Sequence, residues 1–281
     1  AGNVFVTGSF SSISIDFGGG PLASAGFDDI FVVKFSPTGV HSWSNSFGGS
    51  GIDVGSALAV DGVGDVVATG SFEGMANFGG VTLVSAGALD VFLAKYSGLA
   101  GAHLWSQRFG STGSDEGHAV TLDGAGHVIL GGSFEFDVDF GGGSLVASGN
   151  DDLFAAQYFL LDGAHVWSHS LGGSNRDKAM DVAVDSTGAV IVTGEANLYL
   201  SPPFPFTLYS DLIVAKFGWD GTPVWSRQFG AGATQSLGTG VTVGPDDVAT
   251  VVGGFAGTVD FTVGSATSVG STDIVLLRLG P

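Results

Sequence analysis

Ala119-Val120-Thr121-Leu122-Asp123-Gly124-Ala125-Gly126-His127-Val128-Ile129-Leu130-Gly131-Gly132-Ser133-Phe134 opens the stretch whose reading decides the fold. Two short apolar runs flank Asp-Gly-Ala-Gly, where glycine supplies the positive φ that a tight hairpin needs. Then come a Gly-rich excursion, Asp139-Phe140-Gly141-Gly142-Gly143, a third apolar run from Leu153 to Tyr158, a turn at Leu161-Asp162-Gly163, and a fourth run from His165 to Leu171. The runs are short and rich in β-branched and aromatic residues, and no window has helical periodicity, so they read as four antiparallel strands with an outlying hairpin between the second and third.

Outward from this stretch the pattern recurs. Trp43, Trp105, Trp167 and Trp225, each followed by Ser, are spaced by 62, 62 and 58 residues. Thr7-Gly8-Ser9-Phe10, Thr69-Gly70-Ser71-Phe72 and Gly131-Gly132-Ser133-Phe134 keep the same step, and Asp29, Asp90, Asp152, Asp211 and Asp273 each precede an apolar strand. Landmarks in one phase make this a repeat protein. A lone four-stranded sheet cannot bury both faces, whereas repetition about an axis lets each cover its neighbour. The expected fold is therefore all-β: a single β-propeller domain over 1–281, about five blades of four antiparallel strands on a ~62-residue repeat, with units near 1–56, 57–118, 119–180, 181–238 and 239–281. Trp43, Trp105, Trp167 and Trp225 are the expected inter-blade core. A stacked β-solenoid is the competing architecture, disfavoured by the tight hairpins. The first unit lacks its first strand and the last its fourth, so the terminal blades are expected to be incomplete. The opening residues fall inside a repeat, which leads to the expectation of a processed or partial chain.

The pattern Ala59-Val60-Asp61 with Asp65-Val66-Val67, Thr69-Gly70-Ser71-Phe72, Trp105-Ser106 and Phe109-Gly110, repeated along nearly the whole chain, resembles the bacterial SBBP-type β-propeller repeat. The resemblance implies a secreted or cell-surface protein and no single activity.

Composition narrows the function classes. Twenty-seven acidic residues against eight Lys and Arg give a net charge of −19, which repels nucleic acid and anionic lipid and suits cationic partners. No apolar run approaches the ~18 residues of a spanning helix. With no cysteine, disulfides and thiolate metal sites are excluded.

Repeated acids invite a metal reading. Asp29, Asp90, Asp152, Asp211 and Asp273 could form a ring of Ca²⁺ sites, since hard carboxylate oxygens suit that ion. Recurrence in every unit favours the alternative, that each caps backbone N–H groups in a turn. No other cofactor is expected. Lys34, Lys95, Lys216 and Arg278 recur on the third strand and are expected to pair with nearby Asp. The histidines lack ligand spacing. Departures from the repeat are more telling. The fourth unit replaces the Gly-rich excursion with a Pro-rich segment, and Tyr199, Phe204, Phe206, Tyr209 and Trp219 form a candidate patch for sugar or protein. Asn175-Arg176-Asp177-Lys178 reads as a solvated charged loop. The expected function is a non-catalytic extracellular or cell-surface scaffold for binding, adhesion or assembly. Its partners would be a protein or glycan, with self-assembly through the incomplete terminal blades. A lectin is the alternative and a filament or coat subunit a further one; no catalytic residues are singled out.

Overall fold

The computed structural model describes residues 2–201, 207–230, 235–262 and 264–280. Its strands form five successive units. The first holds β1 (Val4–Phe10), the small hairpin β2 (Ser14–Asp16) and β3 (Pro21–Ala23), then β4 (Asp29–Phe35) and β5 (His41–Gly49). The second is β6 (Asp53–Val60), β7 (Val66–Asn77), β8 (Leu83–Tyr96) and β9 (His103–Phe109). The third is β10 (Glu116–Leu122), β11 (His127–Asp139), β12 (Ser144–Phe159) and β13 (His165–Leu171). The fourth is β14 (Arg176–Val184), β15 (Val190–Ser201), β16 (Thr207–Phe217) and β17 (Pro223–Phe229). The fifth holds β18 (Gln235–Val243), β19 (Ala249–Ala256), the hairpin β20 (Thr258–Asp260) and β21 (Ser265–Thr267), and β22 (Asp273–Leu279). There is no helix among the described residues, so none that could cross a membrane.

Pairing inside each unit is antiparallel and follows chain order, as in β6–β7–β8–β9. Parallel contact is confined to single-residue bridges between units, such as Asp151 with Arg176 and Ser210 with Gln235. This topology is not that of a parallel coil. The first strands of the second to fifth units carry a register shift at an equivalent place, Gly55/Ala57, Gly117/Ala119, Ala179/Asp181 and Gly238/Gly240, and β14 has a further one at Arg176/Lys178. The extra residue breaks the period-two pattern. Unit boundaries expected at 56/57, 118/119, 180/181 and 238/239 therefore fall inside β6, β10, β14 and β18, and each unit starts earlier.

Cores lie between units, not within them. One cluster joins Ile30, Val32 and Trp43 to Val66, Phe92 and Tyr96. The next joins Val91 and Leu93 to Val128, Phe140 and Tyr158, and two more repeat the arrangement toward the end of the chain. Each fully buried Phe at these junctions stabilises the stack by about 1.5–3 kcal/mol. The outlying hairpin supplies one such ring: Phe78 stacks on Phe92 of its own unit and on Phe47 of the preceding one.

Candidate functional site

The fourth strand of a unit lays its indole against the next unit. Trp43 and Trp167 are buried, and Trp105 and Trp225 half-buried. Trp43 Nε1 donates to the Gly98 carbonyl at 3.1 Å, Trp105 Nε1 to that of Leu160 at 3.3 Å, and Trp167 Nε1 to that of Trp219 at 3.3 Å. All three acceptors sit in the turn between the third and fourth strands of the following unit. The position equivalent to them for Trp225 is residue 281, outside the described residues. Trp225 carries the Arg227 guanidinium over its ring at 5.3 Å.

Acids before each third strand cap turns. Ala25 N–H reaches Asp29, Ala86 reaches Asp90, Ser148 reaches Asp152 and Val269 reaches Asp273, at 2.5 to 3.0 Å. Asp211 accepts the Asn197 side-chain amide at 3.3 Å. Among the described residues no group of three or more His, Asp or Glu has a metal-holding arrangement. A second acidic series escaped the sequence reading although it keeps the 62-residue step: Asp53, Asp115 and Asp177, all buried at the start of a unit. They accept N–H bonds from Gly49, Ser111 and Gly173 at 2.7 to 2.8 Å. Burial pushes the Asp53 carboxyl up to about 6 and that of Asp115 up to about 7, against those bonds and with Asp29, or Asp90 and Glu135, adding repulsion. The glycine closing each fourth strand leaves room for the acid that opens the third strand, and Gly48 for Asp53 as well. A Cβ on Gly172 would sit 2.3 Å from the Asp152 carboxyl, and one on Gly48 2.1 Å from Asp29 Oδ1 and 2.6 Å from Asp53 Oδ2.

The cationic series is paired. Lys95 meets Asp61 at 3.1 Å, Lys216 meets Asp185 at 2.9 Å and Arg278 meets Asp246 at 2.9 Å. Lys34 donates instead to the Gly98 carbonyl at 2.6 Å. His41, His103 and His165 bond Ser44, Ser106 and Ser168 through Nε2 and lie over Gly19, Gly80 and Gly142. They hold the outlying hairpins down.

Of the aromatic patch, the structure brings two members together. Tyr199 and Tyr209 stack across the β15–β16 hairpin with ring centroids 5.0 Å apart and 15° between planes. Phe204 and Phe206 lie outside the described residues. Trp219 is 68% exposed but sits past the far end of β16, and ten residues of strand separate it from Tyr209 by about 30 Å. Trp219 therefore does not share a surface with Tyr199 and Tyr209.

The segment expected to be a solvated loop is another correction. Arg176, Asp177 and Lys178 begin β14, and Asp177 is buried. Arg176 Nε bonds Asp151 at 2.8 Å, and Lys178 Nζ lies 3.5 Å from Glu116, which is 3.6 Å from His118 Nε2. Burial lowers the His118 pKa and raises that of Glu195, which faces Lys178 across β14–β15. No other junction among the described residues gathers Glu, His and Lys in this way; the charges in that segment are the signal that the cluster is here. Chemically it can exchange protons and bind a small polar group. Clefts elsewhere are small and are lined by none of these residues. One of 280 Å³ lies between the first turns of the second and third units, beside Asp61, Gly124 and His127, and one of 350 Å³ lies between the first and second units.

No family model matches the chain. It is similar to a protein of Acanthamoeba polyphaga mimivirus described as an uncharacterized WD repeat-containing protein, L264, at 23% identity over 366 aligned positions. The match takes in 99% of this chain and 26% of that protein, so the chain spans about a quarter of the length of this relative. Among solved structures, one described as the Dos1 propeller matches with a TM-score of 0.45 and 11% identity, over 90% of this chain and 56% of the other.

Proposed function

We propose that this chain is an arc of five β-propeller blades, the first lacking its innermost strand and the last its outermost, and that it serves as a non-catalytic protein-interaction scaffold. We place it outside the cell, in line with its resemblance to the SBBP-type repeat. The observation that carries the architecture is the indole bond from one unit to the next at three successive junctions. It ties the units into a series with a constant step. The mimivirus relative is itself named for repeats, which supports a repeat scaffold. The scaffold reading is supported by where the polar groups go: repeated acids, histidines and cations are spent on turns and junctions, and the clefts are at or below the lower end of ligand-pocket size. Binding then uses the broad surface of loops. Small-angle scattering of the isolated chain should fit a curved arc, and a straight rod would refute the architecture. A panel of ester, peptide and glycoside substrates should give no turnover. Hydrolysis abolished by Glu116→Gln or His118→Ala, with the fold intact, would replace the scaffold by an enzyme.

A lectin is the second reading, favoured by the stacked Tyr199 and Tyr209 pair. It requires glycan-array binding that Tyr199→Ala or Tyr209→Ala removes. Binding unchanged in both variants, or no binding by the parent chain, would sink it.

A further inference from the structure

The second and third units carry an apolar rim that their own packing leaves uncovered. Where the outlying hairpin leaves the second, fourth and fifth units the chain turns left-handed, with Gly74, Asn197 and Gly257 at φ 71°, 57° and 77°. Glycine and asparagine tolerate that setting, and a bulky side chain does not. The third unit puts Phe136 there, at φ 62°, and its ring is 60% exposed. Backbone strain and an exposed ring both work against the folded state, so the fold alone gives no reason for a Phe at this place. The ring leans over the loop that enters the third unit: a Cβ on Gly113 would lie 3.0 Å from Phe136 Cδ2. Ala88 N–H bonds the Gly113 carbonyl at 3.2 Å, which sets the ring beside the hairpin of the second unit. About 13 Å back along β8, Val84 and Met75 face each other across that hairpin, 55% and 64% exposed. On the third hairpin Val146, directly across from Asp137, is 67% exposed. The charge around these groups has one sign. Glu73, Asp137 and Asp139 are exposed, and no Lys, Arg or His occurs in 73–89, 110–115 or 135–149.

We propose that this rim, centred on Phe136 and running to Met75, Val84 and Val146, is a docking surface for a polypeptide segment in which apolar side chains alternate with Lys or Arg. This rests on the scaffold reading and gives it a surface and a partner chemistry. The occupant is argued from charge complementarity. Apolar side chains of the segment cover Phe136 and Met75, while its cations meet Glu73 and Asp137, whose field also speeds encounter. A flexible Met beside a rigid ring suits a surface that accepts varied apolar side chains. A sugar fits less well, because Met75, Val84 and Val146 offer no flat ring for it to stack on. The rim lies within two units that are packed on both sides, so it does not depend on what adjoins either end of the series.

Fluorescence anisotropy of a short labelled peptide of alternating Leu and Lys, added to the intact chain, tests this, with Ser-Lys and Leu-Glu alternations as controls. The Leu-Lys peptide should bind with a dissociation constant of about 1–100 µM, and Ser-Lys at least about tenfold more weakly. Leu-Glu should not bind, and salt should weaken the Leu-Lys complex. Phe136→Gly restores the residue type that the left-handed position favours, so its thermal midpoint should equal or exceed that of the parent. The same variant should lose at least about tenfold in binding. Asp137→Asn should weaken binding and its salt dependence together. No binding of Leu-Lys, equal binding of Ser-Lys, or binding that Phe136→Gly leaves intact would overturn the proposal. So would a Phe136→Gly chain that melts well below the parent, since the ring would then be structural. Glycan-array binding lost in Phe136→Gly, with Leu-Lys ignored, would overturn it in favour of a sugar. None of these results touches the scaffold reading, which the substrate panel decides.

Discussion

Asp115 is buried among the ends of two units, and its folded pKa of about 7 lies above the ordinary 3.8; Asp53 follows at about 6. A raised carboxyl binds its proton more tightly when folded. Its penalty is absent below pH 3.8, grows as pH rises through the window up to about 7, and is complete above it. Asp61, Asp123 and Asp185 oppose this. Burial pushes them up, but bonds from backbone N–H groups, with Lys95, His127 and Lys216, outweigh it and hold them below 3.8. Their stability is present above 3.8 and lost only as pH falls through their lower folded values. The thermal midpoint should therefore be highest near about pH 4–5 and fall toward pH 8. Asp115→Asn should flatten that fall by up to about 1.4 kcal/mol per pH unit across the window, while lowering the midpoint at pH 5 because an amide N–H then faces backbone donors. Melting curves of both proteins at several pH values check this, and an unchanged slope in the variant would refute the assignment. This acid was visible in the sequence as part of the series Asp53, Asp115, Asp177. Its burial was not, because the N–H groups it faces belong to Ser111 in the loop before it and to Glu135 twenty residues on, a meeting only tertiary contact defines.

At the scale of strands and turns, much was legible. The runs at 127–134, 153–158 and 165–171 lie inside β11, β12 and β13. In the second to fourth units the outlying hairpin proves to be an extension of the second and third strands past a bulge, with Gly74, Phe136 and Asn197 at positive φ. A left-handed Phe gives no sequence signal, so that continuity could not be read. The spacing of the tryptophans was legible, and Trp43 and Trp167 are buried while Trp105 and Trp225 are half-buried, but the carbonyl that Trp43, Trp105 and Trp167 each meet lies 52 to 55 residues on, beyond any local pattern. Trp43→Phe keeps a ring and loses one donor, and should cost about 0.5–1.5 kcal/mol plus lost contact area. Trp43→Ala leaves a cavity and should cost about 3–5 kcal/mol. Trp219→Ala removes an exposed ring while its backbone carbonyl still accepts the Trp167 bond, so it should stay within about 0.5 kcal/mol of the parent. Urea titration of the three orders them, and a Trp219 loss equal to that of Trp43→Ala would contradict the burial described.

For the whole molecule, stability is a matter of junctions. The four apolar clusters lie between successive units, so the second, third and fourth units are held on both faces and the first and fifth on one. A chain of nearest-neighbour interfaces opens from its ends, and local opening free energies then grade along the sequence. Amide hydrogen exchange of dilute chain should show strongest protection in β7, β8, β11 and β12, and weakest in β1, β19 and β22. Each exposed terminal side chain forgoes the ~1.5–3 kcal/mol that its counterparts gain on burial, enough for a tenfold or greater gap in opening between β22 and β12. Equal protection of β22 and β12 in dilute solution would mean that the terminal faces are already covered, and the graded stack would have to be abandoned.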